Sequence, residues 1–327
     1  RYSYNFGLRD VRDYKLTIAT EAIQNYDLDG LDWDFCRFPR FFAMGEAENN
    51  AGLMTDLVRS LRKALDAKSE HIGRRLLMSV RVPPTFDLAM RFGLDVRSWL
   101  DEGLIDILVA GVVHGSMFRV PVEEYVEAAH DTSTQVIAQN LGLFWHGRPQ
   151  SASVIWGEPS LYTEEMCRAS ASTYWQAGVD GIYLWNNHLI PFNRSLAYSR
   201  RPWKEIADPE GMSRRNKHYL VDHPHQLEVM KNELGSYTVP PGPLPINLGG
   251  PGEQATVRVD ISDDLEGAKA DGMLDGARLR LMIVHLTAQD DIDISLNGQA
   301  LDMSTVDRRL LYNDCWLDFD VTNGSLQ

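Results

Sequence analysis

The sequence is poor in features that would settle its class at once. Among 327 residues there are three cysteines, Cys36, Cys167 and Cys315. They are too few and too widely spaced for a disulfide framework or a cysteine metal site, and they leave the compartment open. Basic residues are outnumbered, with 32 Lys and Arg against 46 Asp and Glu and a net charge of −14. Neutralising phosphates needs a basic surface, so this balance argues against nucleic acid as the main partner. No apolar run reaches the ~18 residues that suggest a membrane span. No Gly-x-Gly-x-x-Gly turn follows a strand-like run, which speaks against a dinucleotide-binding sheet. Internal repeats and low-complexity tracts are missing. What remains is 44% hydrophobic and 24% charged residues, an ordinary globular composition with room for one large domain and a small one. The start, Arg1-Tyr2-Ser3-Tyr4-Asn5, has no Met and no signal-like segment, and the end falls on Asn323-Gly324-Ser325-Leu326-Gln327 just after a strand-like run. Both ends read as cut, so the expectation is an internal piece of a longer protein.

Against these absences one stretch stands out: Asp29-Gly30-Leu31-Asp32-Trp33-Asp34-Phe35-Cys36-Arg37-Phe38-Pro39. Leu31, Trp33 and Phe35 alternate with Asp32 and Asp34. In a strand, alternate side chains share a face, so two carboxylates point one way and three large apolar groups the other. Helical patterns before and after it predict a parallel strand enclosed on both faces. Carboxylates enclosed in that way are costly unless they are paired or do chemistry.

The rest of the chain repeats the same alternation. A helical pattern over 11–26 precedes the motif strand. Leu53, Leu57, Leu61 and Leu65 mark a helix over 53–67. Strands follow at 76–82, 105–111, 134–140 and 181–187, with helical runs at 96–102, 122–130 and 163–177 between them. Five strand–helix alternations predict a parallel α/β sheet, either a (β/α)8 barrel or a doubly wound sheet. Five strands do not close a barrel, and the expectation is that three more precede residue 1. The barrel part is read as 1–205 and a connecting helix and linker as 206–251, with the prolines and glycines of 237–251 as the linker proper. The segment 252–327 is read as a truncated all-β sandwich. Its strand-like runs lie at 255–261, 277–286, 291–296 and 316–321, and Asn297-Gly298 is a hairpin signal.

In a barrel the active site lies at the C-terminal ends of the strands. Those ends carry Asp34 and Arg37, then Arg81, His114, Gln139 and Asn140, and finally Trp185, Asn186, Asn187 and His188. This is a lining for a polar substrate.

The Asp-Gly-Leu-Asp-Trp-Asp motif with its following Arg37-Phe38-Pro39 resembles the fourth-strand region of bacterial family-10-like glycosyl hydrolases. Gly178-Val179-Asp180-Gly181-Ile182-Tyr183-Leu184-Trp185-Asn186 is similar to their last strand, and Pro209-Glu210 through Lys217-His218-Tyr219 resembles the segment after their barrel. The resemblance implies a (β/α)8 barrel with an appended sandwich and glycoside hydrolysis without a cofactor. The sequence departs from the family-10 xylanases, which use Glu at the ends of strands four and seven, where this chain has Asp34 and Gln139-Asn140. It departs also from α-amylase-like barrels, where an Arg stands two residues before the nucleophilic Asp; here that position is Asp32.

Glycoside hydrolysis needs two carboxyl groups flanking the bond. Asp34 is the best single candidate for nucleophile or base. Asp32, one layer deeper, would orient Asp34 or pair with Arg81. An internal salt-bridge network that only fixes the barrel accounts for both residues as well. Glu158, in a long loop shared with Trp145, His146 and Trp156, is the first choice for the second carboxyl, though it also reads as an acid leading a helix; Asp87 and Glu46 stand behind it, and a partner in an absent N-terminal portion is the equal alternative. Arg37, Arg40 and Arg81 would recognise an acidic or sulfated sugar, or merely neutralise Asp32 and Asp34. Arg37, Arg81, His114, Gln139, Asn140, Trp145, Trp185, Asn186 and His188 form the expected substrate-binding set. No metal ligand set is expected, because only His114 and His188 stand at strand ends. Two rivals remain: a carbohydrate-binding barrel without catalysis, and a metal-dependent hydrolase on the same fold. The expected partner is a carbohydrate.

Overall fold

The computed structural model describes residues 3–36, 40–111, 118–141, 143–145, 159–161, 163–185, 201–221, 244, 246–287, 289–311 and 314–323. The chain divides into two compact units, Arg1–Ser262 and Asp263–Gln327.

In the first unit the described elements run α1 (Arg9–Asn25), β1 (Gly30–Asp34), α2 (Ala51–Ile72), β2 (Leu77–Val82), α3 (Phe86–Arg91), α4 (Val96–Asp101), β3 (Ile107–Ala110), α5 (Glu123–Ala129) and β4 (Gln135–Leu141). A small antiparallel ribbon of β5 (Leu143–Trp145) and β6 (Pro159–Leu161) follows. Then come α6 (Glu164–Gln176), β7 (Gly181–Trp185), α7 (Arg201–Glu205) and α8 (Pro209–Ser213). The main sheet has the order β1-β2-β3-β4-β7, and every pairing is parallel. In a flat sheet the two outermost strands would lie about 19 Å apart, four steps of ~4.8 Å. Yet the Arg81 guanidinium on β2 lies 5.1 Å from the centre of the Trp185 ring on β7, three strands away. The sheet is curled into a half-barrel.

Alternation decides which residues enter the core. On the convex face Met78, Val80, Val82, Leu108, Ala110, Val136 and Ala138 are buried against Met54, Leu57, Val58, Leu61 and Leu65 of α2 and against Trp99 of α4 and Tyr125 of α5. Helix α2 presents these residues at three- and four-residue spacing and stops at Gly73, whose φ of 72° suits a left-handed cap that other residues resist. Several polar side chains inside this layer are tied down by hydrogen bonds. The Trp99 indole donates to Thr55 Oγ1 at 3.0 Å, and the Tyr125 hydroxyl donates to the carbonyl of Pro83 at 2.7 Å. Asp106, just ahead of β3, accepts from Arg62 Nη1, from Arg75 Nε and Nη2, and from the Met78 amide. That carboxylate ties α2, the approach to β2, and β3 together.

The alternating helices and parallel strands agree with the sequence reading. Several details differ, the β5–β6 ribbon in the long loop after β4 among them. Helix α3 was not expected after Pro83-Pro84, although Thr85 caps it by accepting from the Leu88 amide. The run 255–261 alternates in sequence but forms no strand. The motif strand is not enclosed on both faces: Asp32 and Asp34 are exposed, because the concave side of a half-barrel is open.

The second unit begins with a short helix, Leu265–Ala270. It holds an antiparallel sheet in the order β11-β12-β8, made of β8 (Arg278–Val284), β11 (Asp307–Leu311) and β12 (Asp314–Asp320). A separate hairpin joins β9 (Ser295–Leu296) to β10 (Gln299–Ala300). Its turn is the expected Asn297-Gly298, with φ of 50° and 80°. Cys315, Leu317, Phe319 and Val321 are buried on one side, packed with Leu279, Leu281 and Ile283.

Candidate functional site

The concave face takes the residues that alternate with the core. Asp34 on β1 lies opposite Arg81 on β2 in the strand register, and Gln139 on β4 lies opposite Tyr183 on β7. Arg81 is the centre of this row. Its Nε donates to Asp34 Oδ1 at 2.9 Å and its Nη2 to Asp34 Oδ2 at 2.7 Å, a two-pronged pair. Its Nη1 donates to Gln139 Oε1 at 2.7 Å. Its guanidinium lies over the Trp185 ring, 5.1 Å from the ring centre. The arginine side chain is 3% exposed, whereas that of Asp34 is 45% exposed. The pair therefore reaches from a dry interior to an open surface. Burial alone would pull the Arg81 guanidinium down; its hydrogen bonds to Asp34 and the neighbouring negative groups outweigh it, so the group sits above its ordinary value.

Asp34 is further fixed by its own turn. Its Oδ1 accepts the Cys36 amide at 2.8 Å, and the Phe35 amide donates to the Arg81 carbonyl at 2.9 Å. Phe35 is buried against Trp99 and Phe41, which anchors the end of β1 from the other side. Cys36 is buried, and its thiol faces the Gly111 carbonyl at 3.9 Å. Burial pushes this thiol up to about 12; Arg81 pulls it back and Asp34 adds to the rise. It is a neutral thiol at physiological pH and no nucleophile.

Gly111 keeps the row compact. A Cβ there would stand 2.5 Å from Gln139 Oε1 and 3.1 Å from Arg81 Cγ. Tyr174 of α6 holds β4 from behind: its hydroxyl donates to the Gln139 carbonyl at 3.2 Å and accepts from the Val120 amide at 2.8 Å. Beside β1 a cleft of about 420 Å³ opens between Tyr4, Lys15, Asp32, Asp34, Arg40 and Phe41.

The structure thus brings Asp34, Arg81, Gln139 and Trp185 together. Arg81 pairs with Asp34 rather than with Asp32, which lies opposite Ser79 and has no hydrogen-bond or ion-pair partner among the described residues. Asp87 stands in the first turn of α3 and bonds to Arg91, and Glu46 is exposed in a turn before α2. Asn140 lies opposite Leu184 in the register, and Trp145 opposite Pro159 in the small ribbon. Arg37, His114, Glu158, Asn186 and His188 lie outside the described residues, as do His146 and Trp156. Tyr183 is the residue that sequence reasoning passed over. It shares the concave face with Trp185, and the same period-two alternation that separates both from Ile182 and Leu184 could have shown it. Burial raises its phenol, Arg81 opposes this, and Asp32 and Asp34 add to it. Among the described residues no group of three His, Cys, Asp or Glu is placed to hold a metal ion, and no helix is long and apolar enough to cross a membrane.

No family model matches the chain, and neither does any curated protein. Among solved structures it is similar to a glycoside hydrolase family 18 N-acetylglucosaminidase from Paenibacillus barengoltzii. That likeness has 14% identity and a TM-score of 0.41, and covers 56% of this chain and 73% of that one. It is also similar to the cell-surface-expressed chitinase ChiW from Paenibacillus sp. str. FPU-7. Here identity is 13% and the TM-score 0.42, with 55% of this chain and 29% of that one covered.

Proposed function

We propose that this chain carries the sugar-binding face of a barrel-type glycoside hydrolase acting on a poly- or oligosaccharide. The observation that supports this is the Asp34–Arg81–Gln139 row with the Trp185 ring beside it, set near the C-terminal ends of parallel strands. A sugar ring offers hydroxyls to such polar groups and an apolar face to an indole. In this reading Asp34 is the strand-end carboxylate. Asp32 stands two residues back on the same face, about 6.5–7 Å along the strand. Glu158 is the further candidate for the proton donor. The family-10-like resemblance of the motif and the sandwich reading of the second unit belong to the same proposal.

A specific observation favours a second reading, glycan binding without turnover. Both oxygens of Asp34 are engaged, Oδ1 by Arg81 Nε and the Cys36 amide and Oδ2 by Arg81 Nη2. A carboxylate so occupied is a poor nucleophile. Wild type and Asp34→Asn, incubated with a panel of glycans while reducing ends are counted, separate the two. Release by wild type that collapses in the variant supports hydrolysis. Binding by both without release supports the binding protein.

A further inference from the structure

Two opposite charges in the first unit are left unpaired. Lys15, half-buried on α1, has its ammonium 4.4 Å from the centre of the Tyr4 ring and no ion-pair or hydrogen-bond partner among the described residues. Asp32 is exposed and equally unpartnered among them. Both line the cleft of about 420 Å³ beside β1, yet they do not pair with each other. Opposite charges that share a cleft without meeting leave a gap that a third group can bridge. That group must accept from the ammonium and donate to the carboxylate. A hydroxyl does either, and a sugar ring carries several around its rim.

The walls of this cleft are fixed. The Phe6 amide donates to the Phe41 carbonyl at 2.6 Å, and the two rings meet edge to face at 5.7 Å. Phe41 meets the buried Phe35 in the same way, so the segment ahead of α1 and the chain after β1 are both held to the core. The volume lies within the range of small-molecule sites, about 300–1,000 Å³. Its position adds a second point. β1 is an edge strand of the main sheet, and no described lining residue comes from β2, β3, β4 or β7. The cleft therefore lies on the outer flank of β1, whereas Arg81, Gln139 and Trp185 extend from the inner flank. Asp34 belongs to both, holding Arg81 on one side and lining the cleft on the other.

We infer that this cleft is a second sugar subsite, in which one unit is held between Lys15 and Asp32 while a neighbouring part of the same chain lies along the row from Arg81 to Trp185. The bound glycan then crosses Asp34 and is gripped on both sides of it. The ligand is an oligosaccharide engaged along its length, and a mono- or disaccharide reaches only one of the two lobes. The inference rests on the glycan reading above and adds to it a chain-length requirement and a residue, Lys15, that lies outside the row.

The test uses the full chain, wild type beside Lys15→Met, with Lys63→Met on the exposed side of α2 as a control for lost surface charge. Lys15→Met keeps an unbranched stem against the Tyr4 ring and removes only the ammonium. Affinities are measured for cello-, xylo-, manno-, chito- and galacturonate oligosaccharides, each from the disaccharide to the hexasaccharide. In the series that wild type binds, affinity should rise once the chain is long enough to enter the cleft. Lys15→Met should lose about tenfold on those long chains, the worth of a hydrogen bond to a charged group, and nothing on the disaccharide. Its melting temperature and the control's affinities should match wild type. Wild-type affinity that does not grow with length overturns the second subsite and leaves the glycan reading intact. So does growth that Lys15→Met retains, a loss equal at every length, or the same loss in the control. Binding to none of the series overturns the glycan reading itself, and this inference with it.

Discussion

Asp34 and Arg81 face each other across β1 and β2 and are joined by two hydrogen bonds, of 2.9 and 2.7 Å, with the carboxylate near solvent and the guanidinium inside. The asymmetry of burial sets what each substitution does. Asp34→Ala leaves a buried guanidinium with Gln139 as its remaining side-chain acceptor among the described residues. Hydrogen bonds to charged groups are worth about 1.5–3 kcal/mol, and a destabilisation in that range is expected. Arg81→Lys keeps the charge but loses the fork and the contact with the Trp185 ring, and should weaken glycan binding more than it lowers stability. Urea unfolding and binding measured side by side check this; equal losses in both would show that the pair is only structural.

Gly111→Ala is expected to act on the same row without removing any polar group. The new methyl would meet Gln139 Oε1 and Arg81 Cγ at impossible and tight distances. Overpacking of this kind costs about 1–3 kcal/mol, and the atoms that must yield belong to the site. Glycan binding should fall, and the amide signal of Gln139 should move. An unchanged signal would place the accommodation elsewhere.

Asp106→Ala should be the most damaging single change in the first unit. It leaves Arg62, itself 5% exposed, without its buried carboxylate, and strips Arg75 and the Met78 amide of their acceptor. Breaking a buried pair by removing one partner costs about 3–5 kcal/mol. Thermal unfolding followed by the first unit's tryptophan emission, with Asp131→Ala as an exposed control, measures it.

Alkali should destabilise the first unit through its thiols. Burial raises both Cys36 and Cys167 from 9.0 to about 12. Between those values the unfolded chain has released protons that the folded chain still holds. Stability is therefore fully present below about pH 9 and falls as pH rises toward about 12. Tyr125, raised by burial, acts in the same direction at higher pH. The double variant Cys36→Ala, Cys167→Ala should show a shallower fall over this window. An identical slope would remove the thiols from the account.

Much of the half-barrel was legible because its strands alternate. Leu31, Trp33 and Phe35 against Asp32 and Asp34 gave the two faces of β1, and Arg81 at the end of the next strand gave the partner. What the alternation could not show was which carboxylate Arg81 would take. That depends on register, and Asp34, not Asp32, lies opposite it. It also could not show that the polar face would be open, since enclosure depends on how many strands complete the curve. Helix α3 was hidden by Pro83-Pro84, which drew attention from the capping Thr85. The run 255–261 failed in the other direction: period two alone makes no strand without a neighbour to pair with. Tyr183 was overlooked beside the more conspicuous Trp185-Asn186.

The Asp106 node also bears on the order in which the chain organises itself. Its bonds reach back to residues 62, 75 and 78, separations of 44, 31 and 28 positions. Each joins Asp106 to a different segment, so the long helix, the approach to the second strand and that strand itself converge on a single carboxylate. The stretch from Ala51 to Ala110 is therefore expected to open and close as a unit in native-state exchange.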